Sequence, residues 1–451
     1  MYMLCIVGMG ISGISMARWS KKYKINTVIL EKNPYIGGCW LEKSYPNVIL
    51  QTTKKSYSYS DFPMPKEFPL YPSRKNIMDY LISYCEKHNL LENVNFNSCV
   101  KNTDWNSNKK LYSIVYEQNG ENKIINSKYL CVCSGFYTTP KIPRFKGMEK
   151  FKGEIKHNVE WSYLGKETIK SFENKNILII GNGPSGCDLA CLAVKNKAKE
   201  VLLLYRTPRW IFMRKLSIVS LHFILNRTFL WFGSNIPNKL FLIIIYILYY
   251  VPFYLNGHDM IWELPNEIIT RKNLTLNDDI FEYVKNNDIK YIRGSIDSFE
   301  KNKIKIKISG KIKKISPDLV LMCTGFKQDI KFMKYDRIPY LYKRIVSPFH
   351  KNCGFIGFVA TFNWVQVSDL QARWFINHIL GKIKLIDVPN MICSIKNDIK
   401  LNDNSSLDYH DFAYKAYEYS DLLAKDMNIV PKTSKFSPKY WFNISEYDEW
   451  T

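Results

Sequence analysis

The chain opens on a five-residue apolar run, Met3–Val7, the length of a buried strand, which leads directly into GMGISG at Gly8–Gly13. The following ISMARWSKKY has the amphipathic spacing of a helix, and Val28–Leu30 is a second short apolar run ending on Glu31. Strand, glycine turn, helix and strand make one βαβ unit. The same order returns at Asn176–Ile180, GNGPSG (Gly181–Gly186), CDLACLAVKNKA and Val201–Leu204. Two such units about 170 residues apart are no short-period repeat. They predict an α/β fold with two Rossmann-like dinucleotide-binding domains.

Farther on, Lys303–Ile308 alternates Lys with Ile, Ser309–Gly310 supplies a two-residue turn, and Lys311–Ile315 alternates again. This predicts a β-hairpin with one face buried. The apolar strand Asp318–Cys323 ends in TGF and Tyr129–Cys133 ends in SGF; both are expected where the chain crosses between the two nucleotide domains. The expected organisation is a first part of one domain over 1–165, a second domain inserted over 166–319, and the remainder of the first domain with a helical C-terminal segment over 320–451. Within the insert lies an apolar stretch, Leu216–Leu255, densest at Leu240–Val251 just before Pro252. Its densest part falls short of the roughly 20 apolar residues a spanning helix needs. A buried or lid helix and a patch lying on a membrane surface both stay open.

Composition adds limits rather than a direction. With 451 residues the chain has room for two or three domains. The net charge of +23 comes from lysines scattered among Asn and Ile, and no basic–aromatic platform suggests nucleic acid. That scatter reads first as a compositional bias; the functional alternative is attraction to phosphate-bearing cofactors or an anionic membrane surface. The 11 cysteines include no CxxC pair, so neither a zinc site nor a redox dithiol is expected, and no metal. Several sit in apolar runs (Cys131, Cys133, Cys323) and read as small buried groups of a reducing compartment. The first apolar run already enters a glycine motif, so no signal peptide is expected. The acidic end, SEYDEWT, is no tail anchor. A cytoplasmic protein is expected, with membrane association left open by 216–255.

Candidate chemistry begins at the glycines. Gly8, Gly10 and Gly13 form GxGxxG after a strand and before a helix, where backbone N–H groups cradle a pyrophosphate. Glu31 stands 23 residues after Gly8 at the end of the second strand, placed for a ribose hydroxyl. The expected first set is therefore Gly8, Met9, Gly10, Ile11, Ser12, Gly13 and Glu31. The second motif, Gly181, Gly183, Ser185, Gly186, Cys187 and Asp188, is followed by a strand ending in Tyr205–Arg206, with Arg209 close behind. An arginine in place of the acid suits a 2′-phosphate, which a carboxylate would repel. The pairing predicts FAD at the first motif and NADPH at the second. A disulfide reductase would need a second cysteine near Cys39, and none follows before Cys85.

Several segments then make the chain recognisable. FKGEIKHNVEW (Phe151–Trp161) resembles the FxGxxxHxxx(Y/F) signature of class B flavin-containing monooxygenases, just ahead of the second glycine motif. GGCW (Gly37–Trp40), SDFPMP (Ser60–Pro65), CTGF (Cys323–Phe326) and DLQARW (Asp369–Trp374) are similar to that family's GGxW, SDFP, ATGY and ELQARW segments, in family order across about residues 3–380. The likeness is greatest to the plant and fungal branches that oxidise nitrogen or sulfur. The resemblance implies an enzyme in which NADPH reduces FAD. A C4a-hydroperoxyflavin then passes one oxygen of O₂ to a soft N or S nucleophile, while bound NADP⁺ shields it. It adds Cys39, Trp40, Thr53 and Gln371 to the FAD set, and Thr52 and Thr53 to the NADP set. It gives His157 a structural place near the domain junction. Three departures stand out: Trp161 for Tyr or Phe, SGF and CTGF for ATG, and Thr52–Thr53 for the family's usual Thr-Asn. That asparagine sits at the flavin's reactive edge, so Thr53 is the candidate catalytic residue. The remaining alternatives are an NADPH oxidase releasing peroxide and a non-catalytic flavin-binding protein.

Overall fold

The computed structural model describes residues 1–216 and 274–429, except 335–339, 360, 362 and 402–415, with isolated positions between 219 and 254. These residues form two units. Met1–Leu41, Thr52–Thr139 and Lys327–Thr451 make the first; Glu42–Gln51 and Pro140–Phe326 make the second. The chain thus passes between units shortly after SGF and at the end of CTGF, and twice more, out and back, for Glu42–Gln51.

The first unit is built on a seven-stranded sheet. Tyr2–Val7 lies between Thr27–Leu30 and Glu121–Val132, parallel to both, and Cys353–Phe355 pairs parallel with the far side of Leu130–Val132. Strands covered on both faces need unbroken apolar sequence. Leu4–Val7, Val28–Leu30 and Leu130–Val132 supply it, and all are buried. Val94–Asn95, parallel to Thr27–Leu30, and the antiparallel strands Ser98–Asn106 and Leu111–Gln118 complete the sheet. There the pattern changes to alternation, with Tyr112, Ile114 and Tyr116 facing a core shared with Phe355 and Phe358. Helix Ile11–Lys22 packs on helix Trp364–Ile379, joined by Trp19 Nε1 donating to Asp369 Oδ1 at 2.8 Å.

The second unit holds a five-stranded parallel sheet in the order Ile289–Arg293, Glu200–Tyr205, Asn176–Ile180, Leu319–Met322 and Glu154–His157. The strand Glu154–His157, although it precedes residue 165 in sequence, therefore pairs with this sheet. The hairpin forms at Ile304–Ile308 and Lys311–Ile315, with Ser309 and Gly310 at φ of 47° and 86°. Positive φ at both turn positions matches the twist of the strands it joins. Only its first strand buries a face, through Ile304 and Ile306; on the second, Ile312 is 51% exposed. The hairpin lies in a separate three-stranded sheet with Ser295–Phe299; its second strand is an edge of that sheet and carries three lysines, and the apolar face expected for it stays open.

All eleven cysteines are unbridged, eight of them buried, with Cys39 and Cys393 exposed. The stretch Leu216–Leu255 lies almost wholly outside the described residues, so neither reading of it is decided. Among the described residues no helix is long and apolar enough to cross a membrane, and no group of three His, Cys, Asp or Glu is placed to hold a metal ion.

Candidate functional site

At the first motif the strand delivers Gly8 with φ of +99°, where a Cβ would stand 2.8 Å from the Cys133 carbonyl oxygen. The turn then brings Gly13 so close that its Cβ would fall 1.9 Å from Gly8 O. No side chain fits at either position, and the helix starts hard against the strand. Gly10 has a neighbour that the fingerprint does not mention: a Cβ there would meet Gly38 Cα, of GGCW, at 3.3 Å. The two glycine backbones touch. Helix Ile11–Lys22 begins with no side-chain cap, whereas helix Arg74–Lys87 has a complete Ser73–Asn76 capping box. Its first N–H groups are therefore left for an anion. Glu31, only 3% exposed, accepts from Met9 N at 2.6 Å and from Asn33 N and Nδ2 at 2.9 Å. Its carboxylate thus stands beside the glycine turn.

Of the other residues expected at this site, Ile11 and Ser12 lie in the helix's first turn, and Ser12 Oγ is 3.3 Å from Ser368 Oγ. Cys39 is exposed at the head of the short helix Cys39–Glu42. Trp40 is buried, donates to the Tyr57 hydroxyl at 2.8 Å, and its carbonyl receives Arg74 Nε. Gln371 is fully buried, accepting from Gly357 N and donating to Arg344 O and the Tyr419 hydroxyl. Its amide is engaged inside the protein, bracing the loop at Gly357.

The second motif repeats this geometry. Gly181 has φ of +107° beneath the Cys323 carbonyl, and a Cβ on Gly186 would fall 1.8 Å from Gly181 O. Cys133 and Cys323 end equivalent strands in the two units. In each, the cysteine's backbone carbonyl closes over the first glycine and its Cβ lies against the third, at 3.7 Å from a Cβ on Gly13 and 3.5 Å from one on Gly186. Helix Pro184–Lys195 also lacks a side-chain cap, with Pro184 at its first position. Here the middle glycine faces space: the nearest atoms to a Cβ on Gly183 are those of the Arg209 guanidinium, at 3.8 and 3.9 Å. Arg206 is exposed just past the strand Glu200–Tyr205. The buried Asn182 donates to Thr207 O and the Tyr291 hydroxyl, tying this arginine-bearing loop to the glycine turn. Ser185 lies in the helix's first turn, and the Cys187 thiol is buried against Asn182 O. Asp188 is engaged by the Tyr45 hydroxyl at 2.8 Å and Asn277 Nδ2 at 2.7 Å, and burial pushes its carboxyl up to about 6. It serves protein contacts, one turn behind the start of the helix.

A third group of side chains lies in the first unit. Thr53 is buried with its hydroxyl 3.4 Å from Ser56 Oγ. Thr52 Oγ1, Ser134 Oγ, Gln328 Nε2 and Gln366 Oε1 are buried without hydrogen-bond partners. Ring contacts join Phe136 and Tyr137 to Trp364, Gln366 Nε2 reaches Lys55 O, and Thr138 Oγ1 donates to Lys327 O. These links draw the SGF turn, the Thr52–Lys55 segment and the start of helix Trp364–Ile379 together. A buried polar atom left unpaired costs about 1–3 kcal/mol, so several on neighbouring segments call for a ligand with a polar edge. A flat flavin ring with carbonyl and N–H groups along its rim fits that chemistry. In the second unit His157 is committed to structure. Its Nε2–H donates to Gly325 O at 2.9 Å, its Nδ1 accepts from Val159 N, and its ring packs edge-on to Phe326. Burial lowers its pKa, so it stays a neutral clamp on the CTGF turn.

Sequence reasoning did not find Ser134, Gln366, Asn182 or Tyr45. Ser134 stands inside SGF, Gln366 lies three residues ahead of DLQARW, and Asn182 is the variable position of GNGPSG. Tyr45 carries no sequence signal.

Comparison with known proteins gives the same picture. Residues 2–437 match the family model Flavin-binding monooxygenase-like. Flavin-containing monooxygenase 5 of Cavia porcellus is 26% identical over 429 residues, covering 87% of this chain and 76% of that protein. Among solved structures, S-allyl-L-cysteine S-oxygenase from Allium sativum superposes with a TM-score of 0.67 at 16% identity, over 95% of this chain and 88% of the other. A crystal structure of OTEMO in complex with FAD and NADP gives 0.69 at 15% identity, over 94% and 98%. The fold is that of two-domain flavin monooxygenases, with one Rossmann domain for each dinucleotide. The chain belongs to the flavin-binding monooxygenase-like family and is an oxidoreductase that uses FAD and NADPH.

Proposed function

We propose that this enzyme inserts one oxygen atom of O₂ into a soft nitrogen or sulfur nucleophile, with NADPH as reductant and water as the other product. FAD is held by Gly8–Gly13, with Glu31 on its ribose, Cys39 and Trp40 alongside and Gln371 bracing the loop beneath. NADPH would be held by Gly181, Gly183, Ser185 and Gly186, with Arg206, joined by Arg209, to bind the 2′-phosphate. Cys187 and Asp188 back that helix. Bound FAD supplies the electron relay and the activation of oxygen. The chain's own residues bind, orient and keep water out, with no nucleophile of their own. The Thr52 hydroxyl is buried without a partner and would be taken up by a ligand, while the buried Thr53 hydroxyl rests on Ser56. The observation that carries the reading is the set of unpartnered polar atoms at Thr52, Ser134 and Gln366 beside the Phe136–Tyr137–Trp364 rings. The sulfur-oxygenating neighbour from Allium supports the substrate class.

The test uses ¹⁸O₂ with NADPH and a panel of thioethers and tertiary amines. The reading expects singly labelled S-oxide or N-oxide, one per NADPH consumed. NADPH consumption matched by hydrogen peroxide, with no labelled product across the panel, contradicts it and leaves an oxidase.

A further inference from the structure

Glu42–Gln51 is covalently bracketed by two candidate FAD segments, GGCW before it and Thr52–Thr53 after it, yet it belongs to the second unit. Three anchors hold it there. The Lys43 ammonium sits over the Phe326 ring at 5.3 Å, and Phe326 in turn packs on His157. The Tyr45 hydroxyl donates to Asp188 Oδ2 at 2.8 Å, with the Ser185 hydroxyl also beside it. The Gln51 amide closes a two-bond ring with the backbone of Leu276, donating to its carbonyl at 3.1 Å and accepting from its N–H at 2.7 Å. Tyr45 and Leu50 are buried, so the segment is a packed strap rather than a free loop.

The middle anchor falls on the helix whose first turn carries the second phosphate cradle. Ser185 is in that first turn, and Asp188 is one turn on. An anion arriving at the helix start fixes its first turn, and Tyr45, bonded to Asp188 one turn on, is fixed with it. Any resettling of that turn moves Tyr45, and the strap is short and anchored at Gln51, the residue before Thr52. We propose that Tyr45 is a positioning residue, coupling occupation of the NADPH site to the setting of Thr52–Thr53. The inference rests on the assignment of NADPH to the second glycine motif. It gives the enzyme a way to sense, at the oxygen-handling segment, that the nicotinamide dinucleotide is in place.

The test is hydrogen exchange on the FAD-loaded enzyme, with and without NADP⁺, comparing wild type with Tyr45→Phe and Gln51→Met. Phenylalanine keeps the ring and removes the hydroxyl; Gln51→Met releases the strap's far end without touching the helix. In wild type, NADP⁺ slows exchange both at 181–188 and at 42–53. In Tyr45→Phe, NADP⁺ binds about three- to tenfold more weakly, the worth of one hydrogen bond. It still protects 181–188 and no longer protects 42–53, and peroxide released per NADPH rises. Gln51→Met keeps protection at 181–188 and loses it at 52–53. Equal protection of 42–53 in wild type and in the variants overturns the coupling while leaving the NADPH assignment intact. Absence of protection at 181–188 in wild type overturns the assignment itself, and the coupling with it.

Discussion

Glu31 and Arg206 occupy equivalent places, at and just beyond the second strand of each βαβ unit, and their opposite charges separate the two sites. A carboxylate accepts ribose hydroxyls and repels a 2′-phosphate; a guanidinium does the reverse. Arg206→Ala is expected to lower kcat/KM with NADPH by about 30-fold, or on the order of 2 kcal/mol, and to leave NADH nearly unchanged. Steady-state kinetics with both reductants decide it. Equal losses would place Arg206 in the fold instead. Both residues were legible in the sequence because a strand end is a definite place. Arg209 was legible only as a neighbour, and its position over Gly183 emerges from the Asn182 tie. Ser134 and Gln366 were not legible. What marks them is the lack of a partner, and that is a property of packing which no spacing encodes. Gln371 shows the converse: a side chain inside a family segment whose amide is spent entirely within the protein.

Helix Trp364–Ile379 carries a buried carboxyl. Its Asp369 faces helix Ile11–Lys22, and burial raises its carboxyl from 3.8 to about 7 against the hydrogen bond from Trp19. A carboxyl raised by folding holds its proton more tightly folded than unfolded. Its contribution to stability is therefore complete below about pH 4 and is lost as pH rises through about 7. Asparagine keeps the acceptor for Trp19 and cannot ionise. The stability of Asp369→Asn relative to wild type should thus grow between pH 4 and 7, by up to about 1.4 kcal/mol per pH unit. Urea midpoints across that range measure it, and parallel curves for the two proteins would contradict it. The strands and glycine turns of both units were readable from apolar runs and motif order, and the hairpin from its alternation. The strap Glu42–Gln51 was not. Nothing in a loop's composition says which body it docks on, and Tyr45, Lys43 and Gln51 acquire their roles only from Asp188, Phe326 and Leu276.

At the scale of the molecule, two copies of one design serve different dinucleotides. Each has a strand, a left-handed glycine, an uncapped helix and a returning strand that closes with cysteine over the turn. The first unit adds buried polar atoms that ask for a ligand; the second adds arginines that ask for phosphate. One chain is expected to bind both cofactors and to pass electrons from one to the other. Anaerobic titration of the FAD-loaded protein tests it most directly. One equivalent of NADPH should bleach the visible flavin band fully and quickly, and the same amount of NADH should act far more slowly. A band that persists under NADPH, or that bleaches equally fast with both reductants, would contradict the account.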